Sequence, residues 1–372
     1  MKIEEIQSQL NYLKEIGNLR TLNTLDTNLI NLSSNDYLGI AHNLELKDKF
    51  YKSFKPNLSS SSSRLITGSY DAVMELEKQA ERIYKKPCIM FNSGFDANSS
   101  IIETFFNKDS LILTDRLNHA SIYDGIINSK AKFIRFKHLD LNHLEDLLNK
   151  YSDEYEDILV ITETIYSMDG DIINIDRLAK MKKRFNFQLM VDEAHSYGVF
   201  GYGIVHNLNL IDCVDFLVIP LGKGGGSVGA MVICDKIYKS YIINKSRKFI
   251  FSTSLPPVNH QWNLFVLNNM NNFDKERAKL ELLKNYTLKL LKENNIETQS
   301  NTHIISIVIG DNHKLATVSN NLKQKGFLLY GVKEPTVPKG TARFRIGLNP
   351  YITREQIELF IKELKNELDT VF

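Results

Sequence analysis

Cysteine is scarce: Cys88, Cys213 and Cys234 are an odd number at wide spacing, with no two at metal-ligand distance. The pattern offers neither a disulfide framework nor a metal site, and each thiol falls in or beside a strand-like run, so buried reduced thiols are expected. A dominant charge is missing as well. Lys plus Arg (46) nearly balances Asp plus Glu (44), for a net charge of +2, so there is no general electrostatic attraction to nucleic acid or an anionic membrane. A small anion would need a local site. No apolar run reaches the length needed to cross a bilayer, and Met1-Lys2-Ile3-Glu4-Glu5-Ile6 contains no apolar signal core, which points to the cytoplasm. No internal repeat is visible. What is present, 372 residues with 43% hydrophobic and 24% charged, suffices for a large core and about two domains.

Residues 1 to about 20 read as an amphipathic helix with Ile3, Ile6, Leu10, Leu13 and Ile16 on one face. A polar, turn-rich segment, Asn31 to Gly39, follows a short strand. Ser59 to Ser63 is a five-serine run that suggests a flexible linker, although it leads straight into a helix over 71–84 carrying Val73, Leu76, Ala80 and Ile83 on one face. Seven β-type runs then alternate with helical patterns: 88–91, 111–113, 133–136, 158–161, 189–191, 216–219 and 230–233. This alternation predicts an α/β fold with a mostly parallel seven-stranded sheet covered by helices. After Leu255-Pro256-Pro257 a long helical stretch, runs at 304–309, 327–330 and 342–346, and a final helix with a Thr353/Gln356 capping box predict a smaller α/β domain. The expected division is an N-terminal helix and arm (1–44), a large domain (45–250) and a small C-terminal domain (251–372).

Chemistry concentrates in the loops after the runs, where open sheets of this kind bind ligands. Leu221-Gly222-Lys223-Gly224-Gly225-Gly226-Ser227 sets a lysine on backbone with almost no side-chain bulk. Val191-Asp192-Glu193-Ala194-His195 ends the preceding run with two acids and an imidazole. Together they suit pyridoxal phosphate: Lys223 for the Schiff base, Asp192 to keep the pyridine nitrogen protonated. His119 lies beside a helix start, where a ring can stack on the pyridine. Gly94 and Phe95 open a helix whose free N–H groups can hold a phosphate. The lysine does not belong to a nucleotide-binding loop, because Gly224 follows it and no glycine lies five residues before it. Arg343 and Arg345 alternate along a strand-like run, so one of them should face inward, where a guanidinium suits a substrate carboxylate.

Asn31 to Gly39, Asp115 to Ser121, Ser167 to Asp171, Asp192 to His195, Gly222 to Gly229, Phe251 to Pro257 and Pro335 to Arg343 resemble, in order and over nearly the whole chain, the α-oxoamine synthases, which are fold type I pyridoxal phosphate enzymes. The resemblance implies roles. Lys223 matches the Schiff-base lysine, Asp192 the pyridine-nitrogen partner, His195 the group bonded to the cofactor's phenolic oxygen, and His119 the stacking imidazole. Ser167, Gly94 and Phe95 match cofactor contacts. Thr253 matches a hydroxyl that reaches the phosphate of the neighbouring subunit, which implies a homodimer with shared active sites. Asn35 and Arg345 match amino-acid carboxylate contacts, and Arg20 and Thr336 match residues near the acyl thioester. No metal is implied.

Within the family, the Gly222-Lys223-Gly224 form and Pro335 to Arg343 look most like the members that condense alanine with a pimeloyl thioester in biotin synthesis, with coenzyme A or an acyl carrier protein as the acyl carrier. Glycine with acetyl-CoA or succinyl-CoA, and serine with a long acyl chain, are the alternatives, as is a non-catalytic partner subunit, which should lack the lysine. Three departures stand out: Pro220 where relatives commonly carry Thr or Ser, Ser59 to Ser63 in place of a glycine-rich stretch, and Val73 where a His is often found.

Overall fold

The computed structural model describes residues 2–22, 24–55 and 57–371; Met1 and Phe372, at the outer limits of the expected arm and C-terminal domain, lie outside the described residues, as do Asn23 and Pro56. The chain forms two compact units. One, the sheet unit, comprises Leu38–Tyr166 and Ile172–Arg277; the other, the terminal unit, comprises Met1–Tyr37, Ser167–Asp171 and Ala278–Phe372. Among the described residues the strands are β1 (Ile30–Asn31), β2 (Cys88–Phe91), β3 (Leu111–Asp115), β4 (Lys132–Phe136), β5 (Ile158–Glu163), β6 (Gln188–Asp192), β7 (Phe216–Pro220), β8 (Ala230–Cys234), β9 (Ile304–Gly310), β10 (Phe327–Leu328), β11 (Gly331–Val332) and β12 (Ala342–Gly347).

The sheet unit carries seven strands in the order β2-β8-β7-β6-β5-β3-β4. The pairs from β7 to β4 are parallel and β8 is antiparallel to both of its neighbours. Strands β2, β3, β5, β7 and β8 are buried along their whole length, as their unbroken apolar runs require when helices cover both faces. Ile101 and Ile102 from one helix and Ile122 and Ile126 from the next pack on Ile112, Leu159, Met190 and Val218. Each such side chain contributes about 1.5–3 kcal/mol by leaving water. In helix Asp71–Tyr84 the buried stripe is Val73, Leu76, Ala80 and Tyr84, with Ile83 at its margin.

The serine run is a paired segment rather than a loose linker. Ser63 bridges Thr253, the Ser254 N–H donates to Ser62 O at 3.0 Å, and the buried Ser60 hydroxyl donates to Ser254 O. Small hydroxyl side chains allow two backbones to approach this closely. Cys88 and Cys234 are buried, but Cys213 is only half-buried because it closes the short turn Ile211–Cys213 and not a strand.

In the terminal unit β11-β12-β9 form an antiparallel sheet, and β1 pairs with β10 in parallel. The first helix is Ile3–Glu15, shorter than its pattern suggests, and buries no residue. The last helix, Arg354–Val371, has the expected capping box: Thr353 N–H donates to Gln356 Oε1 at 2.9 Å and Gln356 N–H to Thr353 Oγ1 at 3.2 Å. It buries Ile357, Phe360, Ile361 and Leu364. No helix among the described residues is long and apolar enough to cross a membrane.

Candidate active site

Strand register brings the polar loops to one end of the large sheet. Glu163 stands beside Asp192 in the parallel β5–β6 pair, and Asp192 beside Val218 on β7. Because β8 runs the opposite way, its first residue, Ala230, faces both Pro220 and Phe91. The residues following Phe91, Asp115, Glu163, Asp192 and Pro220 therefore leave the sheet at the same edge, where the carboxyl ends of parallel strands place ligands.

The carboxylate of Asp192 is buried and receives a donor on each oxygen: Asn98 Nδ2 on Oδ2 at 2.7 Å and Ala194 N–H on Oδ1 at 2.7 Å. The adjacent Glu163 accepts the His119 N–H at 2.6 Å. Burial, reinforced by the Asp192 charge, holds the Glu163 carboxyl well above the usual carboxylate range. His119 caps helix Ala120–Ser129. Its Nδ1 accepts the Ser121 N–H at 3.2 Å and pairs with Ser121 Oγ at 2.8 Å, so in the neutral ring Nε2 carries the hydrogen. Burial depresses its pKa below the ordinary imidazole value against the pull of Asp192, and the Lys223 charge adds to the depression.

Glu193 points away from this group and holds the following turn. Its carboxylate accepts Ile204 N–H at 3.0 Å and Val205 N–H at 2.7 Å, and bonds to Ser196 Oγ. Burial pushes it up to about 7. His195 lies buried in the same turn. Lys223 is half-buried. Its loop lies on that of His195: a Cβ on Gly198 would stand 2.5 Å from Gly224 O, and one on Gly224 would collide with Tyr197 O. Only glycine allows backbones this close.

Gly94 opens helix Gly94–Phe105, which Ser93 caps by accepting the Asp96 N–H at 3.0 Å. Phe95 follows with its side chain exposed. Thr253 is exposed too, while its carbonyl accepts Asn92 Nδ2 at 2.7 Å, so its backbone is fixed and its side chain faces outward.

The other predicted residues lie in the terminal unit. Arg343 and Arg345 are both buried; residues two apart on a strand share a face, so the expectation that one of them would face inward is corrected to both. Arg343 pairs with Asp169. Arg345 donates from Nε to Ser167 O at 2.8 Å and from Nη2 to the Tyr37 hydroxyl at 2.7 Å. Tyr37 donates to Asn35 Oδ1 at 3.0 Å, which links Asn35, Arg345 and Ser167 in one network. Arg20 Nη2 reaches Thr336 Oγ1 at 3.4 Å, with both residues exposed. Sequence reasoning missed Glu163, Asn98 and Tyr37. Tyr37 lay inside the turn-rich motif without being singled out, and the other two had no local signal.

The residues of the sheet unit fit pyridoxal phosphate. A buried acid bonded on both oxygens, a fixed imidazole and a glycine-set amine stand at one sheet edge, and among the described residues the buried Asn98 Oδ1 and Ser227 Oγ have no protein partner. Among the described residues no cluster suits a metal ion.

Residues 27–364 match the family model of aminotransferase class I and II. A relative from Glaesserella parasuis serovar 5 is 38% identical over 95% of this chain and 98% of its own length, and one from Neisseria meningitidis serogroup A is 38% identical over 89% and 90%; both carry the provisional name 8-amino-7-oxononanoate synthase. The crystal structure of 8-amino-7-oxononanoate synthase from Francisella tularensis superposes with a TM-score of 0.77 at 28% identity, covering 93% of this chain and 99% of that one. A serine palmitoyltransferase variant from S. paucimobilis, with PLP and myriocin bound, superposes at 0.88 with 23% identity over 99% and 98%, a likeness of fold. The chain therefore belongs to the aminotransferase class I and II family, among its α-oxoamine synthases, and is a pyridoxal phosphate-dependent acyltransferase.

Proposed function

We propose that this enzyme condenses L-alanine with a pimeloyl thioester, releasing CO2 and the free thiol carrier and forming 8-amino-7-oxononanoate for biotin synthesis. The observation that carries this reading is the 38% identity over 95% of the chain to a relative of that provisional name. Pyridoxal phosphate, when bound, supplies an electron sink for the charge left on the substrate Cα. In our reading Lys223 anchors the cofactor and its neutral amine then takes the Cα proton, Asp192 keeps the pyridine nitrogen protonated, and His195 bonds the phenolic oxygen. His119 packs on the ring, and its Nε2–H is the donor left for the acyl oxygen. Gly94, Phe95 and Ser167 complete the cofactor contacts. Arg345 and Asn35 bind the amino-acid carboxylate, and Arg20 with Thr336 the acyl substrate. A homodimer in which Thr253 serves the neighbouring site is favoured by its outward side chain on a fixed backbone, beside the exposed Phe251.

Serine with a long acyl chain is the second reading, because the fold is shared with serine palmitoyltransferase. Purified enzyme offered alanine, glycine or serine with pimeloyl, acetyl, succinyl and palmitoyl thioesters separates the two. Turnover confined to alanine with the pimeloyl thioester is the expected result, and none with that pair overturns the first reading.

A further inference from the structure

We infer that Tyr37 is a positioning residue that aims Arg345 and Asn35 together at the substrate carboxylate. The inference rests on the proposed role of Arg345 and goes beyond it. The phenol is fully buried and has one proton and one accepting role, both committed: it receives Arg345 Nη2 at 2.7 Å and donates to Asn35 Oδ1 at 3.0 Å.

Both bonds select an orientation. With Nε on Ser167 O and Nη2 on the phenol, the Arg345 guanidinium is pinned on one edge, and Nη1 is the part of the fork without a protein acceptor among the described residues. With its Oδ1 taken by the phenol, the exposed Asn35 keeps its Nδ2 hydrogens as donors for a ligand. A carboxylate, which only accepts, is thus met by two donors whose directions a single hydroxyl sets. The ring cannot tilt freely, because His303 stands edge-on to it with centroids 4.2 Å apart. Burial, with Arg345 acting in the same sense, lowers the pKa of His303 to about 3, so the imidazole is neutral and brings no rival cation to the carboxylate.

Tyr37→Phe in the holoenzyme removes one oxygen and keeps the ring. Alanine KM should rise roughly tenfold, the usual consequence of losing a hydrogen bond to a charged group, with kcat and the thioester KM within about twofold of wild type. The alanine Kd, read from the absorbance of bound cofactor, should rise by the same factor with Tm little changed. Asn35→Ala, an exposed substitution that tests the same network if Tyr37→Phe does not fold, should raise alanine KM roughly threefold. Together the two changes should cost less than their product, since both act through one hydroxyl. An unchanged alanine KM in Tyr37→Phe, or equal losses in kcat and in both KM values, would overturn the inference. Arg345→Lys separates the two failures. If it too leaves alanine KM unchanged, the carboxylate role of Arg345 is wrong; if it raises alanine KM while Tyr37→Phe does not, only the role of Tyr37 is.

Discussion

The Pro220 ring lies directly on Gly94: a Cβ on the glycine would stand 2.7 Å from Pro220 Cγ and 3.0 Å from its Cβ. The end of β7 is thereby wedged against the first turn of helix Gly94–Phe105. Where the family resemblance calls for a hydroxyl, this chain places a ring that packs. Gly94→Ala should cost roughly 1–3 kcal/mol through overpacking. Adding Pro220→Ala should restore most of that loss, because the two side chains share one space. Urea denaturation of both single variants and the double variant measures the coupling, and strictly additive losses would refute the contact.

Glu163→Gln keeps a side-chain oxygen for the His119 N–H, whereas Glu163→Ala leaves that donor unpaired. With its carboxyl pKa held high by burial and by Asp192, Glu163 is expected to act in its neutral form, which glutamine imitates. Steady-state assays should show Glu163→Gln within about threefold of wild type and Glu163→Ala down roughly tenfold in kcat/KM, the scale of one buried donor left unsatisfied. Equal losses in both would mean that the negative charge is needed.

Glu193 makes stability depend on pH. Its folded pKa, about 7, lies above the ordinary 4.5, so the folded state holds more protons between those values. Its contribution is fully present below pH 4.5 and declines as pH rises to about 7, by about 3 kcal/mol at most. Glu193→Gln should flatten the fall in stability across pH 4.5–7 relative to wild type. Denaturation midpoints at intervals over that window give both slopes, and parallel curves would contradict the assignment.

Gly224→Ala should be among the most damaging single-methyl additions in the chain, because the new Cβ would meet the carbonyl of Tyr197 and not a yielding side chain. We expect a loss of about 2–4 kcal/mol or more, together with loss of cofactor binding. Thermal melts and equilibrium dialysis with pyridoxal phosphate test the two effects separately.

The seven sheet strands were legible because all but one of their runs are continuously apolar, the exception being Phe133 to Phe136 with its Arg135, and turn-forming or polar residues separate them. Lys223, Asp192, His195 and His119 could be proposed from sequence because each stands in a short motif. Glu163 could not, since a carboxyl ending the run Ile158–Glu163 reads as a turn residue until β6 is known to lie beside it. Asn98 meets Asp192 across 94 residues of sequence and Tyr37 meets Arg345 across 308. Such pairs are fixed by tertiary packing, which periodicity does not report. The serine run misled for a related reason: its composition is that of a linker, but its partner, Thr253 and Ser254, is supplied by a distant segment.

The backbone contact of Gly198 with Gly224 sets a distance that no side chain can renegotiate. The amine of Lys223 and the turn carrying His195 are mounted on two loops that meet main chain to main chain, like two plates of one fixture. Substitutions in the surrounding walls can therefore retune what is bound while leaving the separation of these groups unchanged. A chain built this way can change substrates by altering only the side chains around a fixed frame.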